Sequence, residues 1–534
     1  MVITPQTNIK LLKVPFEMDN SNQLTFSSAT AQYNYFNGLS NKIEYDNCTY
    51  QRKDGYMAIN EDADTLQSYN YCMYQNEQYG NKWFYAFITN VTYEGNEVSY
   101  VYIKTDVFQT WQFDIVWKRS FVEREHVNDD TIGLHTVPEN LETGEYVNCT
   151  TPFQPVTLTS AYTVIAVTEI IWIPDSATAH SKYNGVAGAL TFLIVKDMAS
   201  LDSIIYLYNK AGKIEAINCV FMIPTEFEAN PSWQTETETS AQYAYVSSRT
   251  GAYILSVINV SVPTTLANSY TPRNNKLLCY PYRYMLCTNS AGTDAVYRYE
   301  EFEYFNQSPA GICNFSLYGT ISPGCSLRLI PKDYKKVTGD NNEEGINLAK
   351  FPIGSWINDP YANWLRQESL NIRASYLSNA FQILGGTAML SNPATAMAGA
   401  GTLSSGLLGV INSTAEMYKH ALIPNQAEGN TNSSDIMFAL NKMSPIFYHM
   451  SIKPEYSAII DNFFSMYGYK VNTLKIPNIT GRSNWNYVKT IGCNIVGDIP
   501  QKDLQELKSM FDSGVTLWHN ASTFLDYSQT NNIV

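Results

Sequence analysis

The chain has 534 residues, of which 16% are charged, with 35 Lys and Arg against 49 Asp and Glu for a formal charge of −14. That acidic balance argues against a protein that grips nucleic acid through a basic surface. The length implies about three or four structural units rather than one domain.

Tyr (39), Phe (23) and Trp (9) are abundant, a composition that favours strands, aromatic packing and large interfaces. The nine cysteines, Cys48, Cys72, Cys149, Cys219, Cys279, Cys287, Cys313, Cys325 and Cys493, form no close CxxC pair. Buried free thiols are the simplest reading. The start MVITPQTNIKLLKVPF lacks a basic region followed by a secretory apolar core, so synthesis in the cytoplasm is expected. Sequons such as Asn47-Cys48-Thr49 and Asn90-Val91-Thr92 then carry little meaning.

In chain order, WFYAFITNVTY (83–93), VSYVYI (98–103) and FDIVW (113–117) alternate as strands do. Alternation predicts a core role for at least half of Trp83, Phe84, Tyr85 and Phe87. A second β-rich region runs from AYTVIAVTEIIWI (161–173) through FSLYGTIS (315–322) to SLRLI (326–330). Within and beyond it, ETETSAQYAYVSS (236–248) and KDYKKVTGDNNEEG (332–345) read as exposed connections.

The pattern changes after Asp359-Pro360. Trp364 through Ile383 is predicted to form a helix, and it leads into a charge-free stretch, Ala374 to Ala415, bracketed by Arg373 and Glu416. Its composition suits burial, membrane contact or a mobile plug. A transmembrane helix needs roughly 20 mainly apolar residues, and here Pro393 and the glycines that follow weaken any such helix. The helices are expected to present this stretch as a tip beyond the β-rich body.

Near the C-terminus, Tyr456, Ile459, Ile460, Phe463, Phe464 and Tyr467 fall on one helical face after Pro454, with Gly468 as the stop. A shorter helix at 503–511 turns Leu504, Leu507 and Phe511 inward and ends at Gly514. The fold class is mainly β with accessory helices (α+β).

Catalytic patterns are weak. Glu123, Arg124, Glu125 and His126 offer acid/base groups, but strand alternation separates the glutamates from Arg124 and His126. Structural salt bridges or a subunit contact are the better reading. The six histidines, His126, His135, His180, His420, His449 and His519, are scattered without an HExxH run. Asp340, Glu343, Glu344 and Gly345 lack the calcium-loop spacing, and no GxxxxGK[ST] phosphate loop is present. Neither a metal nor a cofactor is expected.

Several runs go further than composition. Tyr79-Gly80-Asn81-Lys82-Trp83-Phe84-Tyr85-Ala86-Phe87 comes first, then Asp106-Val107-Phe108-Gln109-Thr110-Trp111 and Phe121-Val122-Glu123-Arg124-Glu125-His126-Val127. In the C-terminal third follow Phe463-Phe464 with Tyr467-Gly468-Tyr469, Asn486-Tyr487-Val488, Gly497-Asp498-Ile499 and Gly514-Val515-Thr516-Leu517-Trp518-His519. In this order the chain resembles the tail-knob proteins of small short-tailed phages of Gram-positive hosts, the Bacillus phage phi29 type.

The resemblance implies a homohexameric tube at the distal end of the tail, with tail-tube-like β domains forming a ring and a helix-borne apolar loop at the tip. It divides the chain into an N-terminal tail-tube-like domain (1–135), a middle β-rich region (136–350), helices with the Gly/Ala-rich tip (351–440) and a C-terminal α/β segment completing the tube body (441–534). The tip residues assigned to plugging or membrane contact are Leu384, Met389, Met397, Leu403, Leu407, Leu408, Val410 and Ile411. Gly385, Gly386, Gly399, Gly401, Gly406 and Gly409 would let the loop bend. Expected partners are five further copies of the chain, upstream tail or collar proteins, the host cell membrane, and genomic DNA in transit without sequence-specific binding. Two alternatives stand beside this reading: a receptor-binding or wall-degrading tail component, and a purely structural tube without membrane activity.

Overall fold

The computed structural model describes residues 6–51, 55–77, 80–156, 158, 160–172, 182–183, 186–187, 191–227, 233–247, 252–303, 311–321, 325, 327–348, 350–354 and 443–534. The chain divides into two compact units. Unit 1 takes Met1–Gly144, Pro272–Leu278 and Glu455–Val534, and unit 2 takes Glu145–Thr271 and Cys279–Pro454. The fold is mainly β with accessory helices, as the strand-rich sequence predicts.

The N-terminal stretch supplies β1 (Thr7–Leu12), β2 (Asn22–Leu24), α1 (Ala29–Asn37), β3 (Lys42–Gln51), β4 (Tyr56–Ile59), α2 (Ala63–Leu66), β5 (Tyr71–Asn76), β6 (Trp83–Gly95), β7 (Val98–Thr105), α3 (Val107–Trp111), β8 (Val116–Trp117) and β9 (Ser120–Glu125). The C-terminal stretch supplies α4 (Pro454–Tyr467), β10 (Tyr469–Lys475), β11 (Trp485–Ile491), β12 (Ile495–Val496), α5 (Gln501–Ser513) and β13 (Val515–Trp518). Six of these strands close into a barrel in the order β1-β3-β4-β7-β6-β5, which leaves no strand edge unpaired around the ring. Ile9, Leu11, Met57, Ile59, Cys72, Ala86 and Val101 pack together as one core. The alternate residues Leu12, Tyr71, Met73, Tyr85 and Phe87 form a second core with Phe36 of α1 and with Trp485 and Trp518 from the far end of the chain.

The second sheet of unit 1 runs β2-β13-β11-β9-β10. Strands from the two chain ends are interleaved in it, so β9 lies between β10 and β11. Helix α5 buries Leu507, Met510 and Phe511 against Val107, Phe108 and Trp111 around α3; Leu507 and Phe511 are as the spacing predicts, Met510 joins them, and Leu504 is only partly buried. Gly514, at φ 97°, ends it.

Unit 2 has a six-stranded antiparallel sheet in the order Gln234–Thr235, Gln242–Ser247, Thr191–Val195, Ala161–Val167, Ile217–Pro224, Ile353–Gly354. The helix Met198–Lys210 contributes Ile204 and Tyr208 to the same core as Ile165, Leu193 and Tyr243. Two four-stranded sheets follow. One joins Tyr146–Asn148, Ile446–Ile452, Arg283–Thr288 and Asp294–Tyr297, and the other Ala252–Ser261, Ile312–Thr320, Leu327–Pro331 and Ile346–Asn347. Phe315 meets Tyr297 and Phe447 at 5.1 Å each between them.

Four local expectations change. Residues 242–247, read as part of an exposed connection, form a strand inside the six-stranded sheet, because Tyr243 and Ala244 are both buried in it. The strand expected over 161–173 stops at Val167, and of FDIVW only Val116–Trp117 pairs. Helix α4 forms as predicted, but its buried side is Ser457, Ile460, Asp461 and Phe464, leaving Ile459 65% exposed.

Candidate functional site

The tip residues proposed from sequence, Leu384, Met389, Met397, Leu403, Leu407, Leu408, Val410 and Ile411 with Gly385, Gly386, Gly399, Gly401, Gly406 and Gly409, lie outside the described residues, as does the helix expected at 364–383. The motif runs at the two chain ends lie inside them, apart from Tyr79, and they converge in unit 1.

Asp106 opens α3. Its carboxylate accepts the Gln109 N–H at 3.1 Å and the Tyr71 hydroxyl at 3.0 Å, and burial pushes it up to about 6 against those hydrogen bonds. Gln109 receives the Gln32 amide at 2.9 Å and donates to Gln23 Oε1 at 3.1 Å and Leu24 O at 2.8 Å. One polar knot thus joins β5, α1, β2 and α3, and every group in it is committed to holding structure.

The Glu123–His126 run behaves the same way. A β-bulge falls between Val122 and Arg124, so simple alternation fails there and the two glutamates meet different surroundings. Glu123 pairs with Lys489 at 2.9 Å. Glu125 is fully buried and takes Lys475 at 2.5 Å and the Asn478 N–H at 2.8 Å. Arg124 pairs with Glu139 and donates to Gly468 O at 2.8 Å.

His126 Nδ1 accepts the Tyr487 N–H at 2.8 Å, so the proton sits on Nε2 and points to Ser465 O at 3.1 Å. Burial, then the Arg482 charge, pushes its pKa down to about 3. These are structural salt bridges and pins, with no acid/base pair left over.

Nucleophiles fare no better. Burial raises Cys48 and Cys493 to about 11, and Cys72 and Cys325 to about 12, so these thiols stay protonated at neutral pH. Among the described residues no group of three or more His, Cys, Asp or Glu could hold a metal ion.

What unit 1 does offer is surface. Across β4, β7 and β6 the register pairs Tyr102 with both Tyr56 and Asn90, and Tyr100 with both Ala58 and Thr92. Their neighbours Met57, Ile59 and Val101 fill the barrel core, so this uncharged row faces away from it. Tyr56 stacks on Tyr100 with ring centroids 4.3 Å apart.

On the second sheet, Phe121 is the cross-strand partner of both Leu474 and Ile491. All three lie open to solvent, at 38%, 61% and 57% exposure. Strand β10 is the sheet's edge. Aromatic, charge-poor surface of this kind is what subunit interfaces are made of. Sequence reasoning missed the apolar row because it depends on the register of three strands far apart in the chain.

Residues 248–532 match the family model of the Bacillus phage phi29 tail knob protein gp9, C-terminal domain. The chain belongs to this tail-knob family. Residues 5–118, which contain the barrel, match the N-terminus of caudoviral major tail proteins. The tail knob protein gp9 of Bacillus phage phi29 is 26% identical over 96% of both chains, and that of Bacillus phage B103 is 26% identical over 99% of this chain and 98% of the relative. The tail knob protein gp12 of bacteriophage C1 has the same fold, with a TM-score of 0.64 at 15% identity over 99% of this chain and 100% of that one. Membership in the tail-knob family makes this a structural protein of a phage tail rather than an enzyme.

Proposed function

We propose that this tail-knob protein assembles as a homohexameric ring at the distal end of the tail, adjoining upstream tail or collar proteins, and that the phage genome passes through the ring without sequence-specific binding. The observation that carries the proposal is the pair of unlike uncharged surfaces on unit 1, the Tyr56–Tyr100–Tyr102 row and the Phe121–Leu474–Ile491 row. A ring needs two different patches per copy, one to give and one to receive. An acidic chain also suits a conduit, since phosphates are not held.

The test is the mass of the purified protein in solution for the wild type and for the double variant Leu474→Asp, Ile491→Asp. Both positions are exposed, so the fold should survive the change. A wild-type ring that the variant reduces to monomers supports the proposal. A monomeric wild type removes the ring, and an intact variant ring removes this surface from it.

The charge-free stretch 374–415 supports a second reading, a tip that plugs the tube and contacts the host membrane during ejection. Among the described residues no helix is long and apolar enough to cross a membrane, so this reading rests on the composition of that stretch. Six copies would concentrate apolar area that one copy lacks. With Leu403, Leu407 and Leu408 changed to Asp, assembled rings should lose dye leakage from liposomes. Leakage equal to wild type rejects the loop's role, and an assembled wild-type ring that leaks nothing leaves a purely structural tube.

A further inference from the structure

Seven residues from the middle of the chain, Pro272–Leu278, belong to unit 1 although the residues on both sides of them belong to unit 2. The polar part of their attachment runs through three carboxylates. Asp461, fully buried on α4, takes the Arg273 N–H at 3.0 Å on one oxygen, and the Asn274 N–H at 3.2 Å and side-chain amide at 2.7 Å on the other. The same amide reaches Ser465 Oγ at 2.9 Å.

Asp130 takes the Asn275 N–H at 3.0 Å, and its backbone carbonyl takes the Asn275 side chain at 2.8 Å. The Tyr469 hydroxyl donates to the Asp130 carboxylate at 2.6 Å. Glu139, almost fully buried, pairs with both Lys276 and Arg124 and takes the Lys470 N–H at 2.9 Å. Leu277 and Leu278 are buried as well, at 0% and 7% exposure, so the strap also has an apolar footing.

None of these bonds belongs to a β-ladder. The barrel, the five-stranded sheet and their aromatic cores are built from other residues. We propose that Pro272–Leu278 is a strap clasped onto unit 1 by Asp130, Asp461 and Glu139, which comes free when those carboxylate contacts are broken while the barrel and sheet stay folded. Charge-assisted bonds are about twice as strong as neutral ones, so neutralising the acceptors weakens the strap selectively. Release frees a seven-residue segment, about 24 Å when extended, from unit 1.

Trypsin reads the strap directly, because Lys276 is a cleavage site whose side chain is only 4% exposed. The full chain carrying Asp461→Asn and Glu139→Gln should be cut after Lys276 at least about tenfold faster than wild type, with amide exchange in β6 and β11 unchanged. The single variant Asp461→Asn should show the same pattern more weakly. An unchanged rate at Lys276 overturns the proposal. So does loss of amide protection in β6 and β11 alongside faster cutting, in either variant, because the segment would then be an inseparable part of the core.

Discussion

His126 is neutral because of what surrounds it. Its Nδ1 faces a backbone N–H, and a second proton there would set donor against donor while placing a charge beside Arg482. The native pKa of about 3 lies below the ordinary 6.5, so the unfolded chain binds the extra proton first. The resulting stability is complete above pH 6.5 and is lost as pH falls from there toward 3, by about 1.4 kcal/mol per pH unit for one proton. Asp106 has the opposite sign. Its native pKa of about 6 lies above the ordinary 3.8, so its contribution is complete below 3.8 and is lost as pH rises through 6. Replacing His126 with Gln should flatten the acid limb between pH 6 and 4 by about that slope, measured as the urea dependence of amide exchange in unit 1. An unchanged limb would assign the acid sensitivity of unit 1 elsewhere, for instance to His519, whose pKa burial also lowers.

Elements in this chain end where the backbone requires it, and two glycines separate conformation from contact. Gly468 closes α4 at φ 62°, with its N–H bonded to Phe464 O at 2.8 Å. A Cβ there would lie 2.2 Å from Glu125 O. Gly492 has φ 69° but nothing within 4 Å. Gly492→Ala should therefore cost about 1 kcal/mol, the left-handed penalty alone, and Gly468→Ala about 2 kcal/mol or more. Equal costs in thermal or urea unfolding would show that β9 gives way freely.

The same contrast explains what could be read from sequence. Strands β6 and β7 and helix α5 were legible because their own periodicity decides which side is buried. The stripe on α4 was legible only in part: Ile460 and Phe464 are buried as their spacing predicts, but Asp461 is buried by a strap 187 residues away in the chain. The bulge in β9 hid the separate fates of Glu123 and Glu125. The apolar tip was legible as composition only, and its residues lie outside those the structure describes.

At the scale of the whole molecule, unit 1 is closed by both ends of one chain. Strand β9 is made early but lies between β10 and β11, which are made last. The outer barrel core of Leu12, Phe36, Tyr71 and Phe87 is covered by Trp485 and Trp518. A chain stopping at residue 454 therefore keeps all six barrel strands, yet bares that aromatic core and both edges of β9, a combination that invites aggregation. Such a truncation should be insoluble alone, and co-expression with 455–534 as a separate chain should return it to solution as a stable complex. A soluble, exchange-protected 1–454 would mean that the barrel stands without its C-terminal cover. If instead the pieces combine, unit 1 is finished only once residues 455–534 have been made, and the surfaces proposed for the ring, which include Leu474 and Ile491, cannot engage another copy before then.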